Sequence, residues 1–138
     1  MSNKQTTPKY TSVMLIDDSE IDNYINHKII VGSNFAKYVN IHTSSKSALE
    51  FFLNLQRREG NISLLLPEII FLDNDMPLMD GFQFVQEFRK LEINSVKPMQ
   101  IIMLTTSTNP DDLTKAKQTG LINKYINKPL TVESLEKL

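Results

Sequence analysis

Short apolar runs alternate along this chain with apolar positions at helical spacing, and the alternation predicts an order of elements. Ser12–Ile16 is a compact apolar run that stops abruptly at Asp17 and Asp18, as a buried strand does. Ser19 then stands as a candidate helix N-cap, and Ile21, Ile25 and Ile29 recur at i, i+4, i+8 to form one apolar stripe, with Gly32 as a stop signal. Tyr38–His42 reads as a second strand, with Val39 and Ile41 alternating. Ala48, Leu49, Phe52, Leu53 and Leu55 make a second helical face, and Arg57–Asn61, polar and containing Gly60, is a loop. Glu68–Leu72 is a third strand ending at Asp73. Gly81–Leu91 is a helix with Phe84, Val85, Phe88 and Leu91 inside. Gln100–Leu104 is a fourth strand ending at Thr105 and Thr106. Asp111–Gln118 is a weak, polar helix closed by Gly120. Asn123–Ile126 is a fifth short strand before Lys128–Pro129, and Thr131–Leu138 is a last helix with Leu135 and Leu138 facing inward.

Five strands alternating with five helices predict an α/β fold with a parallel sheet. Right-handed crossovers leave few topologies, of which a doubly wound, flavodoxin-like sheet of order 2-1-3-4-5, with helices on both faces, is the natural one. The expected organisation is a disordered lead-in over residues 1–9 and one domain over 10–138.

Composition narrows the function classes. With 138 residues, 41% of them hydrophobic, the chain can bury a core without metal or disulfide staples. It has no cysteine, which excludes thiolate metal sites and a cysteine nucleophile. A net charge of −1 argues against a nucleic-acid partner, which would need a basic face. No apolar run approaches the ~20 residues that span a bilayer, and the polar N-terminus lacks the apolar core of a secretory signal, so no membrane partner and a cytoplasmic location are expected.

The candidate chemistry gathers at strand ends. Strand one runs into Asp17–Asp18, strand three into Asp73, strand four into Thr105 and strand five towards Lys128. In a parallel sheet these ends share one edge, so three carboxylates, a hydroxyl and an ammonium converge. Clustered carboxylates repel one another, and a hard divalent cation such as Mg²⁺ relieves them. Positioning plus charge neutralisation is the equipment of phosphoryl transfer. Taken singly, each residue has a blander use: Asp17–Asp18 as a solvated strand end, Lys128 as a surface lysine, Met76–Pro77 and Asp80–Gly81 as turn chemistry. Their joint placement on one edge outweighs that. His27 and His42 fall away from the crevice and read as structural or surface residues.

Asp73-Asn74-Asp75-Met76-Pro77-Leu78-Met79-Asp80-Gly81 closely resembles the phosphoacceptor motif Asp-x-x-Met-Pro-x-x-Asp-Gly of response regulator receiver domains. Asp17–Asp18, Thr105 and Lys128–Pro129 complete that family's set, in order, over nearly the whole chain from Thr11 onward. The resemblance implies a single-domain, chemotaxis-type response regulator of a two-component or phosphorelay system. In it Asp73 takes a phosphoryl group from the phosphohistidine of a histidine kinase or phosphotransfer protein. Asp18 binds Mg²⁺ directly, Asp17 mainly through water, and Asp75 through its backbone carbonyl. The Thr105 hydroxyl bonds a phosphoryl oxygen, Lys128 pairs with Asp73 and then with the phosphoryl group, and the Lys128–Pro129 bond is cis. Tyr125 matches an aromatic switch position that turns inward as Thr105 moves, reshaping the face that a downstream protein target reads. Such a protein catalyses its own modification and hydrolysis without being a conventional enzyme. Two positions depart from the common pattern or tune it: Asp75, where the family most often has Asn, and Ser107, which bears on dephosphorylation. Two other readings stay open. Asp73-Asn74-Asp75 is also an Asp-x-Asp after a strand, as in haloacid-dehalogenase-like phosphohydrolases, where the second Asp is a general acid/base. A pseudo-receiver would bind partners without phosphorylation.

Overall fold

Continuous burial along the central strands builds the molecule around a sheet covered on both faces. The computed structural model describes residues 7–106, 111, 114, 118 and 120–138. Strands β1 (Tyr10–Ile16), β2 (Ala36–His42), β3 (Ile69–Asp73), β4 (Gln100–Thr105) and β5 (Lys124–Asn127) pair in parallel in the order β2-β1-β3-β4-β5. This is the predicted doubly wound topology. One sheet face presents Met14, Ile16, Ile70, Leu72, Ile101 and Met103 to helices α2 (Ser45–Gln56) and α3 (Gly81–Arg89). The other presents Val13, Leu15, Ile69, Phe71, Ile102 and Leu104 to α1 (Glu20–Gly32) and the C-terminal helix α4 (Val132–Glu136). The strand period of two thus divides β1, β3 and β4 between two cores. β3 is buried at every position, as the central strand of a sheet covered on both sides should be. Phe52, Phe84 and Phe88 lock α2 to α3, with ring centroids 4.8 Å apart for Phe52–Phe88 and 5.6 Å for Phe84–Phe88.

The predicted apolar stripe of α1 is not the one that packs. Ile21 is 71% and Ile25 43% exposed, and the buried row is Asn23, Asn26 and Ile30. The physical reason is local: the Asn23 side-chain amide donates to the Asp17 carbonyl at 2.8 Å, satisfying a backbone acceptor where β1 has just left the sheet. Nor does Gly32 take the left-handed conformation after this helix. Asn34 does, at φ 60°. β2 begins at Ala36, earlier than the predicted Tyr38, because Ala36 pairs with Tyr10 and the Tyr10 and Phe35 rings meet at 5.1 Å. Two short 3₁₀ turns, Ser63–Leu65 and Glu92–Ser95, stand in segments read as loop or left unread. The last helix runs only from Val132 to Glu136, with Thr131 as its N-cap. Most of the predicted Asp111–Gln118 helix, Ser107 and the first six residues of the lead-in lie outside the described residues. Lys9 pairs through its amide with the Asn34 carbonyl, 3.3 Å away, and its ammonium donates to the Leu138 carbonyl. No helix among the described residues is long and apolar enough to cross a membrane.

One glycine sets how closely α3 approaches the end of β3. A Cβ on Gly81 would lie 2.9 Å from the Asp73 carbonyl oxygen and from Met103 Cε, and 3.2 Å from Asn74 Cα. The methionine can swing away, but the backbone atoms cannot. Gly81→Ala is therefore expected to cost about 1–3 kcal/mol of folding stability. Urea unfolding checks this: the midpoint should fall with the slope unchanged, and a wild-type midpoint would mean that the strand end yields freely.

Candidate functional site

The crevice forms where four strands end together. Asp17 follows β1 directly, Asp73 and Thr105 are the last residues of β3 and β4, and Lys128 follows β5. The register places Thr105 opposite Asn127, and the Lys128 amide donates to the Thr105 carbonyl at 2.8 Å, so Lys128 leaves the sheet beside Asp73. The Lys128–Pro129 bond is cis.

Asp17 is fixed on all sides. Its amide donates to the His42 carbonyl at 3.1 Å, its Oδ1 accepts the Ser19 amide at 2.9 Å and its Oδ2 accepts Lys128 Nζ at 2.9 Å. Ser19 also caps α1, so one short turn both starts the helix and orients the carboxylate. Lys128 Nζ lies 3.1 Å from Asp73 Oδ1 and 3.1 Å from Asp22 Oδ2 as well. Asp17, Asp18 and Asp73 can each direct a carboxylate oxygen to a common space, all within 4.8 Å of one another. Asp17 and Asp73 are buried, while Asp18 is exposed. An all-oxygen donor set with one open, exposed member fits a small hard dication, which keeps several waters.

Electrostatics follow from this crowding. Burial first, and then the Asp17 charge, push the Asp73 carboxyl up to about 6, against the pull of Lys128 and of the Asp75 backbone N–H. Burial works against the Lys128 ammonium, but its bonds to Asp17 and Asp73 outweigh that and raise its pKa well above the ordinary lysine value. The two directions are consistent. The lysine has several carboxylates to itself, whereas each carboxylate shares one lysine and also faces another anion.

The structure brings together Asp17, Asp18, Asp73, Thr105 and Lys128, as their strand-end positions predict. The Asp75 side chain is exposed and stands outside the carboxylate cluster, and its contact with Asp73 runs through its backbone. Tyr125, opposite Met103 on β5, is half-buried against the α2–α3 core with its hydroxyl oxygen buried. His42 lies closer to the crevice than its sequence position suggests, since its carbonyl holds Asp17, while its imidazole Nδ1 pairs with the Ser47 hydroxyl at 2.8 Å. Two residues escape a reading of the strand ends. Asp22 meets Lys128 from the first turn of α1, and Asn23 braces the Asp17 backbone. Their only signal in the sequence is their place in the turn after a capped Asp-Asp.

Comparison with known proteins gives the class to which this doubly wound sheet and its carboxylate–lysine edge belong. The sequence profile of the response regulator receiver domain matches residues 13–138, so the chain belongs to that family: it is the receiver domain of a two-component response regulator. A probable methanogenesis regulatory protein, FilR2 of Methanothrix harundinacea, is 26% identical over 91% of this chain and 76% of its own length. The sensor histidine kinase CheAY of Helicobacter pylori is 29% identical over 95% of this chain, which spans 15% of that protein. Among solved structures, the two-component response regulator from Cytophaga hutchinsonii superposes with a TM-score of 0.79 at 28% identity, covering 92% of each chain.

The raised Asp73 pKa carries a stability consequence. Its folded value, about 6, exceeds the unfolded 3.8, so folding is favoured by its protonation and weakened as pH rises through that window. Without metal at pH 7, Asp73→Asn should therefore unfold several degrees above the wild type, with the difference shrinking as pH is lowered to 5. Calorimetry in EDTA decides it. A variant no more stable than the wild type would mean that the lost Lys128 contact outweighs the relief of repulsion.

Proposed function

We propose that Asp73 is the phosphoryl acceptor of this receiver domain and that phosphorylation switches a protein-binding face. The observation that carries the reading is the buried Asp73 carboxylate, paired at 3.1 Å with Lys128 and set among the Asp17 and Asp18 oxygens. In the step envisaged, an Asp73 oxygen attacks phosphorus in line, the phosphorus–nitrogen bond of a phosphohistidine breaks, and the imidazole leaves with the electron pair. Lys128 neutralises charge on the transferred group, and the Thr105 hydroxyl donates to one of its oxygens. Asp18, Asp73 and the Asp75 backbone carbonyl would hold Mg²⁺, with Asp17 reaching it through water, and the ion would neutralise charge on the phosphoryl oxygens. The donor is a histidine kinase or a phosphotransfer protein, and the output is contact with a downstream protein. The phosphoryl group adds roughly −1.5 to −2 charges. It draws Thr105 towards it, and Tyr125, expected to turn inward on that movement, is already half-buried against the core beside β4, so its part in the switch would be to follow Thr105 from that position.

The protein is then self-modifying rather than an enzyme with turnover of a separate substrate. A phosphohydrolase of the haloacid-dehalogenase type would need Asp75 poised as an acid/base, and that side chain is exposed outside the cluster.

Intact mass after incubation with Mg²⁺ and acetyl phosphate or phosphoramidate tests the reading. One added phosphoryl group is expected on the wild type, and none on Asp73→Asn or in EDTA. Labelling that survives in Asp73→Asn would move the acceptor elsewhere. A folded, metal-binding wild type that never labels would favour a receiver used for binding alone.

A further inference from the structure

The Lys128 ammonium faces three different carboxylates: it donates to Asp17 at 2.9 Å and to Asp22 at 3.1 Å, and it pairs with Asp73 at 3.1 Å. Asp17 and Asp73 belong to the cluster that would hold a cation, and Asp22 does not. A dication entering the cluster would draw on the same carboxylates that hold the lysine, Asp73 directly and Asp17 through water, so two of its three anchors would be contested. Asp22 alone remains, on a different element, the first turn of α1. Its own position is fixed, because the Asp22 amide donates to Oγ of the N-cap Ser19 at 3.2 Å. The Lys128 side chain is largely buried, with 14% exposure, whereas that of Asp22 is 41% exposed, so the pair is anchored inside and open at the α1 end.

We propose that Asp22 is a positioning residue for Lys128. It keeps the ammonium at the crevice mouth when metal claims Asp17 and Asp73, so that Lys128 meets the incoming phosphoryl group from a fixed point. The inference rests on the phosphoacceptor reading for its consequence, but the tether itself exists without metal or phosphate. The alternative role for Asp22 is generic, since an acidic residue in the first turn stabilises its helix through the dipole whatever Lys128 does.

A double-mutant cycle separates the two, using the full chain with Asp22→Ala, Asp22→Asn, Lys128→Met and the paired variants. In EDTA, thermal unfolding should show coupling: Asp22→Ala lowers the melting temperature of the wild type and has a distinctly smaller effect on Lys128→Met. A helix-dipole role would give equal losses in both backgrounds and overturn the proposal, whether or not the protein can be phosphorylated. With Mg²⁺ and acetyl phosphate, Asp22→Ala should slow labelling about three- to tenfold, Asp22→Asn less because it keeps an acceptor, and Lys128→Met should show no further loss when Asp22 is also changed. Mg²⁺ affinity, measured by calorimetry, should stay within about twofold of the wild type, as expected for a residue outside the metal's donor set. A parallel collapse of Mg²⁺ affinity would make Asp22 part of the metal site and overturn the tether. An unchanged labelling rate would overturn the positioning role. A wild type that does not label, beside an intact coupling in EDTA, would refute the phosphoacceptor reading and the positioning role while leaving the Asp22–Lys128 contact standing.

Discussion

One ammonium shared among three carboxylates holds this site together. Lys128 arrives from β5, Asp17 from β1, Asp73 from β3 and Asp22 from α1, so a single side chain ties four elements at the carboxyl edge of the sheet. The arrangement is under tension by construction. Burial disfavours the charges of Asp73 and Lys128, and one cation cannot fully neutralise its acidic neighbours. That imbalance leaves carboxylate oxygens assembled for a second cation, and an Asp73 that is not fully committed to its lysine.

The sheet makes such precision possible because its interior is decided elsewhere. β3 and β4 are buried almost throughout, with alternate residues feeding separate cores on the two faces. Neither core needs a polar contribution from the crevice, so the strand ends can be spent on charge. Close packing reaches the site at Gly81, where α3 begins against the Asp73 carbonyl, and its start is fixed by a reciprocal cap between Asp80 and Gln83. Asp73 is thus backed by the backbone at the start of α3.

The sheet order and the main site residues were legible because they rest on long-range regularities. Apolar runs ending in Asp17, Asp73 and Thr105 specify strand ends, and parallel topology then places those ends together. The less legible parts depend on single local contacts. Asn23 is buried because a carbonyl just beyond β1 needed a donor, and no periodicity announces that. β2 gains Ala36 through an edge pairing with Tyr10 and a ring contact at Phe35. Asp22 joins Lys128 across 106 residues of sequence, a pairing that only the folded chain creates. The cis Lys128–Pro129 bond was expected from family resemblance and not from the residues themselves.

Helix α1 carries its polarity in reverse, with asparagines inward and Ile21, Tyr24 and Ile25 outward. Mutational tolerance over its first two turns therefore runs opposite to hydrophobicity. Ile21 and Ile25 are free to become glutamate or lysine at little cost to the fold, whereas exchanging Asn23 for leucine, a change any hydropathy scale would score as an improvement, strips the Asp17 turn of its brace. The outer face of this helix can thus change its polarity with little consequence for packing, while its inner face depends on two amides and Ile30.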